Sequence, residues 1–297
     1  MYDFSSLDPQ KVLYNVPVSK HTTFRIGGSA TLFLPTEISE IETAINLCKS
    51  QNIEYFILGN GSNLLVRDGG YKGLIIKTTG INKIELQENN IKIIKAQAGA
   101  KLPTVARFAL DNKLTGLEFA WGIPGTLGGA VFMNAGAYDG EMKNIVIDVD
   151  VLKDGKYLTL TADEMKFAYR DSVAKHESMV ILSASLGLQK GDAESIKAKM
   201  DDFLNRRKTK QPLTNPNAGS TFKRPVGYFT GPLIRESGLM GYRIGDAMVS
   251  TKHAGFVVNM GNASAKDVRK VIEHIKVTVK EKFNVTLEEE LITIGDE

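Results

Sequence analysis

The stretch Trp121–Gly140, WGIPGTLGGAVFMNAGAYDG, places six glycines within twenty residues. Glycine loses more conformational freedom on folding than any other residue, so a cluster this dense weakens a fold unless the backbone turns sharply or lies against something. The expected something is a ligand. IPGTLGGA (123–130) offers a proline-stiffened turn, a hydroxyl at Thr126, and glycines that let a large planar or phosphorylated group approach the main chain. MNAGAYDG (133–140) repeats the feature almost at once.

Upstream, EYFILG (54–59) reads as a strand and runs directly into GNGSNLLV (59–66), whose Gly, Asn and Ser residues can take positive φ and turn successive N–H groups inward. Such a concavity suits an anion, phosphate above all; a tight loop between two strands is the alternative reading. The loop is no Walker motif, since no GK[ST] follows, and no Rossmann fingerprint, since LLV reads as strand where a helix is required. Two glycine loops about sixty residues apart fit a long dinucleotide spanning two subdomains.

The rest of the chain alternates helix and strand signals. ATLFLP (30–35) and GLIIKT (73–78) read as strands, EISEIETAINLCKSQN as an amphipathic helix, and INKIELQENNIKIIKAQAG as two strands joined at Glu88, Asn89 and Asn90. KLPTVARFALDN (101–112) has helical spacing with Val105, Phe108 and Ala109 on one face. Asp154-Gly155 is a hairpin signal, and SMVILSASLGLQ (178–189) a further strand. DAESIKAKMDDFLNRR predicts a helix with Ile196, Met200, Phe203 and Leu204 as its apolar face. TKQPLTNPNAGS (209–220) is the best candidate for a domain boundary. Beyond it, a long helix is predicted from Ser264 to Phe283, capped by Ser264 with Asp267, and VTLEEELITIG reads as a closing strand.

Composition excludes several function classes. With 42% apolar and 24% charged residues over 297 positions, the chain matches ordinary globular proteins and has no run long enough to span a bilayer. MYDFSSLDPQ lacks the basic start and apolar middle of a secretory signal, so a cytoplasmic location is expected. A net charge of +3 does not point to nucleic acid. Arg206, Arg207, Lys208 and Lys210 form the one basic run, read as a solvated helix end rather than a phosphate site. Cys48 falls with Ile41, Ala44 and Ile45 at helical spacing and reads as buried. Four scattered histidines and one cysteine give no metal-binding spacing.

Taken together and in order, HTTFRIGG (21–28), GNGSNLLV (59–66), GIPGTLGGAVFMNAGAY (122–138), FAYRDS (167–172), AGSTFKRP (218–225) and STKHAGFVVN (250–259) resemble the UDP-N-acetylenolpyruvoylglucosamine reductase family over nearly the whole chain. That resemblance implies an α+β architecture: a vanillyl-alcohol-oxidase/PCMH-like FAD-binding fold of two α/β subdomains, plus a smaller C-terminal α/β substrate domain. The expected boundaries are 1–78 and 79–210 for the flavin subdomains and 211–284 for the substrate domain, with the strand in 285–297 returning to the first. It also implies an NADPH-dependent flavoenzyme that makes UDP-N-acetylmuramate for peptidoglycan, holding FAD noncovalently. Small-molecule substrates, no nucleic acid, no membrane and a monomeric chain are expected; the length resembles the shorter, second type of the family.

The FAD contacts implied by the resemblance are Gly59, Asn60, Gly61, Ser62 and Asn63 in the first loop. In the second they are Ile123, Pro124, Gly125, Thr126, Gly129, Ala130 and Gly136. His21 reads as structural rather than as a covalent flavin anchor. NADPH would reduce the flavin, whose N5 would pass hydride to the enolpyruvyl carbon. Arg170 matches the family arginine that holds the substrate carboxylate, Ser220 the serine that protonates the intermediate, and Glu290 the glutamate that assists. On residue type alone, Arg170 also reads as a surface arginine beside Asp171, Ser220 as a loop serine, and Glu288 or Glu289 as rivals to Glu290. Ile292 stands where the family pattern has arginine, so that contact is absent or supplied from elsewhere, for instance by Arg224 or Arg243. Tyr169, Lys223 and Arg224 are the substrate-binding candidates, each also readable as a surface group. Two other functions stay open: another FAD-linked oxidase or dehydrogenase of the same fold, which has no need of the Ser220 and Glu290 pair, and a noncatalytic nucleotide-binding relative.

Overall fold

The computed structural model describes residues 2–297, and their contacts divide the chain into two compact units. Unit 1 comprises 1–13, 32–60 and 74–207; unit 2 comprises 14–31, 61–73 and 208–297. The path changes unit inside the first glycine loop, between Asn60 and Gly61.

Unit 1 is built on a five-stranded antiparallel sheet in the order Lys156–Thr161, Val146–Lys153, Met179–Gly187, Asn90–Gln97, Ile84–Gln87. The Asp154-Gly155 turn closes its first hairpin with both residues in the left-handed region, φ 51° and 74°, as a two-residue hairpin requires. Tyr55–Leu58 runs parallel to the second half of Tyr71–Lys77, pairing Tyr55 with Leu74 and Leu58 with Lys77. The helix Ile38–Ser50 starts on a reciprocal capping box between Glu37 and Glu40 and buries Ile41, Ala44, Ile45 and Cys48. Burial pushes the Cys48 thiol up to about 11, which agrees with a packing role. The helix Leu102–Asp111 buries Leu102, Val105, Ala106 and Ala109, leaving Phe108 half-buried. In the helix Ala193–Lys210 only Ile196 and Met200 are buried. Phe203, expected on the same apolar face, is partly buried against the core and also stacks on Tyr138 with ring centroids 4.6 Å apart.

Unit 2 centres on a three-stranded antiparallel sheet, Arg243–Ile244, Ala247–Val249 and Val257–Asn259, covered by the helix Ala265–Phe283. Val268, Val271, Ile272, Ile275 and Val279 form the buried stripe predicted from their spacing. The start of that helix is held from two sides. Ser264 Oγ accepts from Asp267 N–H, and the Asp68 carboxylate accepts from Ala265 and Lys266 N–H. The closing strand is shorter than VTLEEELITIG predicted, covering only Ile292–Ile294, which pairs in parallel with Leu64–Val66. The reason is that Glu289 to Leu291 bond instead to the segment around Thr221. Among the described residues no helix is long and apolar enough to cross a membrane.

Candidate active site

In unit 1, Gly59 and Asn60 leave the strand Tyr55–Leu58 and meet the second glycine cluster. Asn60 Nδ2 donates to the Pro124 carbonyl at 2.5 Å. A Cβ on Gly59 would stand 2.3 Å from Thr126 Oγ1, so glycine is what lets the two backbones approach. The segment is fixed from behind: Leu102 N–H donates to Gly125 O, Leu127 N–H to Ala100 O, and Gly128 N–H to Ala98 O.

Much of the glycine crowding in Trp121–Gly140 turns out to serve the chain's own packing. Added Cβ atoms would strike Arg207 Cδ at Gly122, Ala98 at Gly128, the Gly140 carbonyl at Gly136, and the Phe119 ring at Gly140. Gly129 differs. It is exposed, and an added Cβ would meet only Thr126 Oγ1 at 3.6 Å. Thr126 itself is 1% exposed, yet its hydroxyl has no hydrogen-bond partner and does not cap the following helix. Burying a hydroxyl without a partner costs about 1–3 kcal/mol, so its presence beside open glycine backbone fits a polar cofactor atom.

Arg170 sits on a tight turn in which Ala168 and Asp171 exchange two backbone bonds, at 3.1 and 3.2 Å. Its φ of 55° is a left-handed conformation that a non-glycine residue adopts at a cost of order 1 kcal/mol, a strain concentrated at functional sites. Its Nη2 donates to the Gly136 carbonyl at 3.1 Å, and its guanidinium lies 5.0 Å over the Tyr169 ring. The neighbouring Asp171 carboxylate bonds to His176 and pairs with Lys175. Asn134 anchors this turn: fully buried, it donates through Nδ2 to Ala168 O and to Glu141 Oε2, and accepts from Lys143 N–H.

In unit 2, Ser220 is exposed while both its neighbours are pinned. Gly219 N–H donates to Asn217 Oδ1 at 3.0 Å, and Thr221 N–H to Gly255 O at 2.9 Å. The Thr221 carbonyl accepts from Glu290 N–H at 2.9 Å and Leu291 N–H at 3.4 Å, which sets the two segments side by side. Asn63 of the first glycine loop closes the same cluster: its Nδ2 donates to Glu290 O at 3.0 Å, and its carbonyl accepts from Ile292 N–H at 3.1 Å. Gly61 packs against the backbone of His21 and Thr22, where a Cβ would stand 2.5 Å from the His21 carbonyl.

The charged neighbours are already engaged. Lys223 pairs with Glu288, while Glu289 pairs with Arg269 and Lys276. Arg243 pairs with Asp246, and the exposed Arg224 lies 4.6 Å over the Phe229 ring. His253, in STKHAGFVVN, accepts from Gly255 N–H through Nδ1 at 3.2 Å; its partial burial holds its pKa below the usual histidine range. Asn134 and His253 lie within MNAGAYDG and STKHAGFVVN, where residue type alone gives neither a role, and the positive φ of Asn134 is invisible in sequence.

Residues 29–161 match the model of an FAD binding domain, and residues 211–294 match that of the UDP-N-acetylenolpyruvoylglucosamine reductase C-terminal domain. The two glycine loops and the orphan hydroxyl of Thr126 lie within the first of these, and the chain is an FAD-containing oxidoreductase of mixed α and β structure. The UDP-N-acetylenolpyruvoylglucosamine reductase of Clostridium novyi is 49% identical over 295 residues, 99% of this chain and 95% of the relative. That of Syntrophomonas wolfei is 45% identical over 296 residues, with 99% and 98% covered. The crystal structure of the corresponding reductase from Thermus caldophilus superposes with a TM-score of 0.82 at 34% identity, over 96% of this chain and 99% of that one. This chain belongs to the UDP-N-acetylenolpyruvoylglucosamine reductase family.

Proposed function

We propose that the chain reduces the enolpyruvyl group of UDP-N-acetylglucosamine enolpyruvate to give UDP-N-acetylmuramate, a peptidoglycan precursor, with NADPH as hydride donor and noncovalent FAD. The observation that carries this reading is the pinning of Ser220 and Glu290 to one another through Thr221, and of Glu290 to the first glycine loop through Asn63. A flavin oxidase has no use for that pair.

Bound there, FAD would supply the chemistry of hydride transfer between NADPH and the double bond. Gly59, Asn60, Gly61, Ser62, Asn63, Ile123, Pro124, Gly125, Thr126, Gly129, Ala130 and Gly136 are assigned to hold it. The remaining chemistry falls to side chains. Reduction at the terminal carbon throws negative charge onto its neighbour and into the carboxylate, where a fixed cation stabilises it most. Arg170 is given that role, with Tyr169 beneath its guanidinium helping to orient it. Ser220 donates the proton to the adjacent carbon. A hydroxyl is a weak acid, and it serves because the carbanion is strongly basic and the backbone on either side of Ser220 is fixed.

Glu290 assists at the carboxylate. The assignment to Glu290 rests on the register of LEEEL (287–291) against the family pattern. Lys223, Arg224 and Tyr169 remain the candidates for substrate contact, with residues 211–284 serving the substrate and 1–78 and 79–210 the flavin. The enzyme is placed in the cytoplasm as a monomer.

The test is an anaerobic visible spectrum of the purified protein, followed by NADPH and then the enolpyruvyl substrate. Flavin bands that bleach and then return support the reading; a protein that takes up no FAD, or one that bleaches without recovery, refutes it.

A further inference from the structure

The backbone on either side of Ser220 is fixed by two turns of one kind. In the first, Asn217 Oδ1 accepts from the N–H two residues on, that of Gly219, at 3.0 Å. Asparagine and aspartate ordinarily make such turns, because their side-chain oxygen falls at the right distance from the backbone. In the second, a histidine makes the same bond to the second residue on. His253 Nδ1 accepts from Gly255 N–H at 3.2 Å, and Gly255 O in turn accepts from Thr221 N–H at 2.9 Å. Thr221 follows Ser220 in the chain, so the imidazole reaches the serine through two hydrogen bonds and one residue of backbone.

The surroundings hold the ring where it can do this. Accepting a hydrogen bond at Nδ1 requires a neutral imidazole with its proton on Nε2, and partial burial favours the neutral form. Phe256 meets the ring edge-on, with centroids 4.9 Å apart and planes at 71°. The imidazole lies so close to Gly255 that an added Cβ there would meet its Cε1 at 3.2 Å and its Nδ1 at 3.3 Å. Ser250 Oγ fixes the start of the turn by accepting from Lys252 N–H at 3.1 Å and from His253 N–H at 3.3 Å. The His253 carbonyl closes it by accepting from Phe256 N–H at 3.0 Å. One residue further on, Val257 N–H donates to Thr221 Oγ1 at 3.2 Å, which ties the serine segment to the same strand.

We infer that His253 is a positioning residue for the proton donor, setting the place of Ser220 through Gly255 and Thr221. The inference rests on the role given to Ser220 in the function proposed above. What the imidazole supplies is an acceptor at one point of the backbone, so a different side chain that puts an acceptor at that point replaces it. Asparagine does so by the geometry it already has at Asn217.

The experiment follows the two half-reactions separately by anaerobic stopped-flow absorbance of the FAD-loaded protein. The variants are His253→Ala, His253→Gln, His253→Asn, Ser220→Ala and the double variant of Ser220→Ala with His253→Ala. His253→Ala should leave flavin reduction by NADPH unchanged and slow reoxidation by saturating enolpyruvyl substrate by about 10- to 100-fold, the scale of cost of a misplaced reacting group. His253→Asn should recover most of that rate, whereas His253→Gln, whose acceptor stands one bond further out, should not. With Ser220 already replaced by alanine, His253→Ala should slow the substrate step no further, because residues that act as a unit do not add. If His253→Ala does not fold, the Gln and Asn variants carry the comparison. A histidine that only stabilised its turn would lower the melting temperature without singling out the substrate step. Wild-type substrate rates in His253→Ala or His253→Gln, both half-reactions slowed alike, or an asparagine variant as slow as the glutamine one would overturn the inference while a slow Ser220→Ala keeps the role of the serine. A Ser220→Ala protein that is reoxidised at the wild-type rate would overturn that role, and this inference with it.

Discussion

Replacing Asn134 with alanine should damage both the stability of unit 1 and the turn that carries Arg170. The side chain is 0% exposed and makes three hydrogen bonds of 2.9–3.0 Å, one of them to the Glu141 carboxylate. Two neutral bonds at about 1 kcal/mol each and one to a charged group at about 2 give roughly 4 kcal/mol. The backbone adds to this, because φ is 40° and alanine tolerates the left-handed region less well than asparagine, by about 1 kcal/mol. A loss of about 4–5 kcal/mol corresponds to a fall in melting temperature on the order of 10 °C for a protein of this size. Circular dichroism melts of the wild type, Asn134→Ala and Asn134→Asp would read it. The aspartate retains the acceptor for Lys143 N–H and the tolerance of positive φ, but brings a second carboxylate beside Glu141. The Ala168 carbonyl loses its side-chain donor in both variants, so flavin reduction by NADPH should survive while the substrate half-reaction slows. A melting temperature for Asn134→Ala within 2 °C of wild type would refute the reasoning.

Ser220→Ala should leave flavin reduction by NADPH intact and slow transfer to the enolpyruvyl substrate by about 10²–10⁴, the usual cost of losing a general acid; stopped-flow spectra that show both halves slowed alike would remove the serine from that role. Thr126→Val should weaken FAD by about 5- to 30-fold while leaving the apoprotein as stable as before or more so, since an unpartnered buried hydroxyl is removed. Fluorescence titration and apoprotein melts would decide, and a destabilised apoprotein with undiminished FAD affinity would contradict it. His253 should make the protein acid-sensitive. Its native pKa is lowered, so the unfolded chain binds the proton more readily; the stability contribution is complete above the unfolded value of about 6.5 and falls as pH drops through it. Urea midpoints between pH 8 and 5 should decline less steeply for His253→Gln, and equal slopes would show that another group is responsible.

Local physics accounts for what could be read from the chain without coordinates. The Ser264 cap and the apolar stripe of the following helix are short-range patterns, as is the Asp154-Gly155 turn, and each is where its spacing placed it. The strand character of LLV after GNGSN likewise distinguished the first loop from a Walker or Rossmann site. What escaped depends on distant partners. No local rule foretells that Glu289 will face Phe222 and stop the closing strand short, or that Gly122 will receive an arginine from eighty-five positions away. The six glycines were read as a ligand cradle, yet four of them are explained by close approach of the chain to itself. Among the three consecutive glutamates, residue type alone does not choose, and Glu290 was singled out by its register against the family pattern.

The parallel pairing of Ile292–Ile294 with Leu64–Val66 has a consequence for the order in which the protein is made. Unit 2 draws on residues 14–31, 61–73 and 208–297, so two of its three segments leave the ribosome before most of unit 1 exists. The apolar strand Leu64–Val66 must then wait for a partner synthesised about 230 residues later, roughly 10–45 s at the usual rate of elongation. Throughout that interval Asn63 lacks the Glu290 carbonyl to which it will bond. Nascent chains should therefore carry an exposed, unpaired strand next to the first glycine loop until residues 292–294 have been made, which makes this segment a natural place for a chaperone to hold.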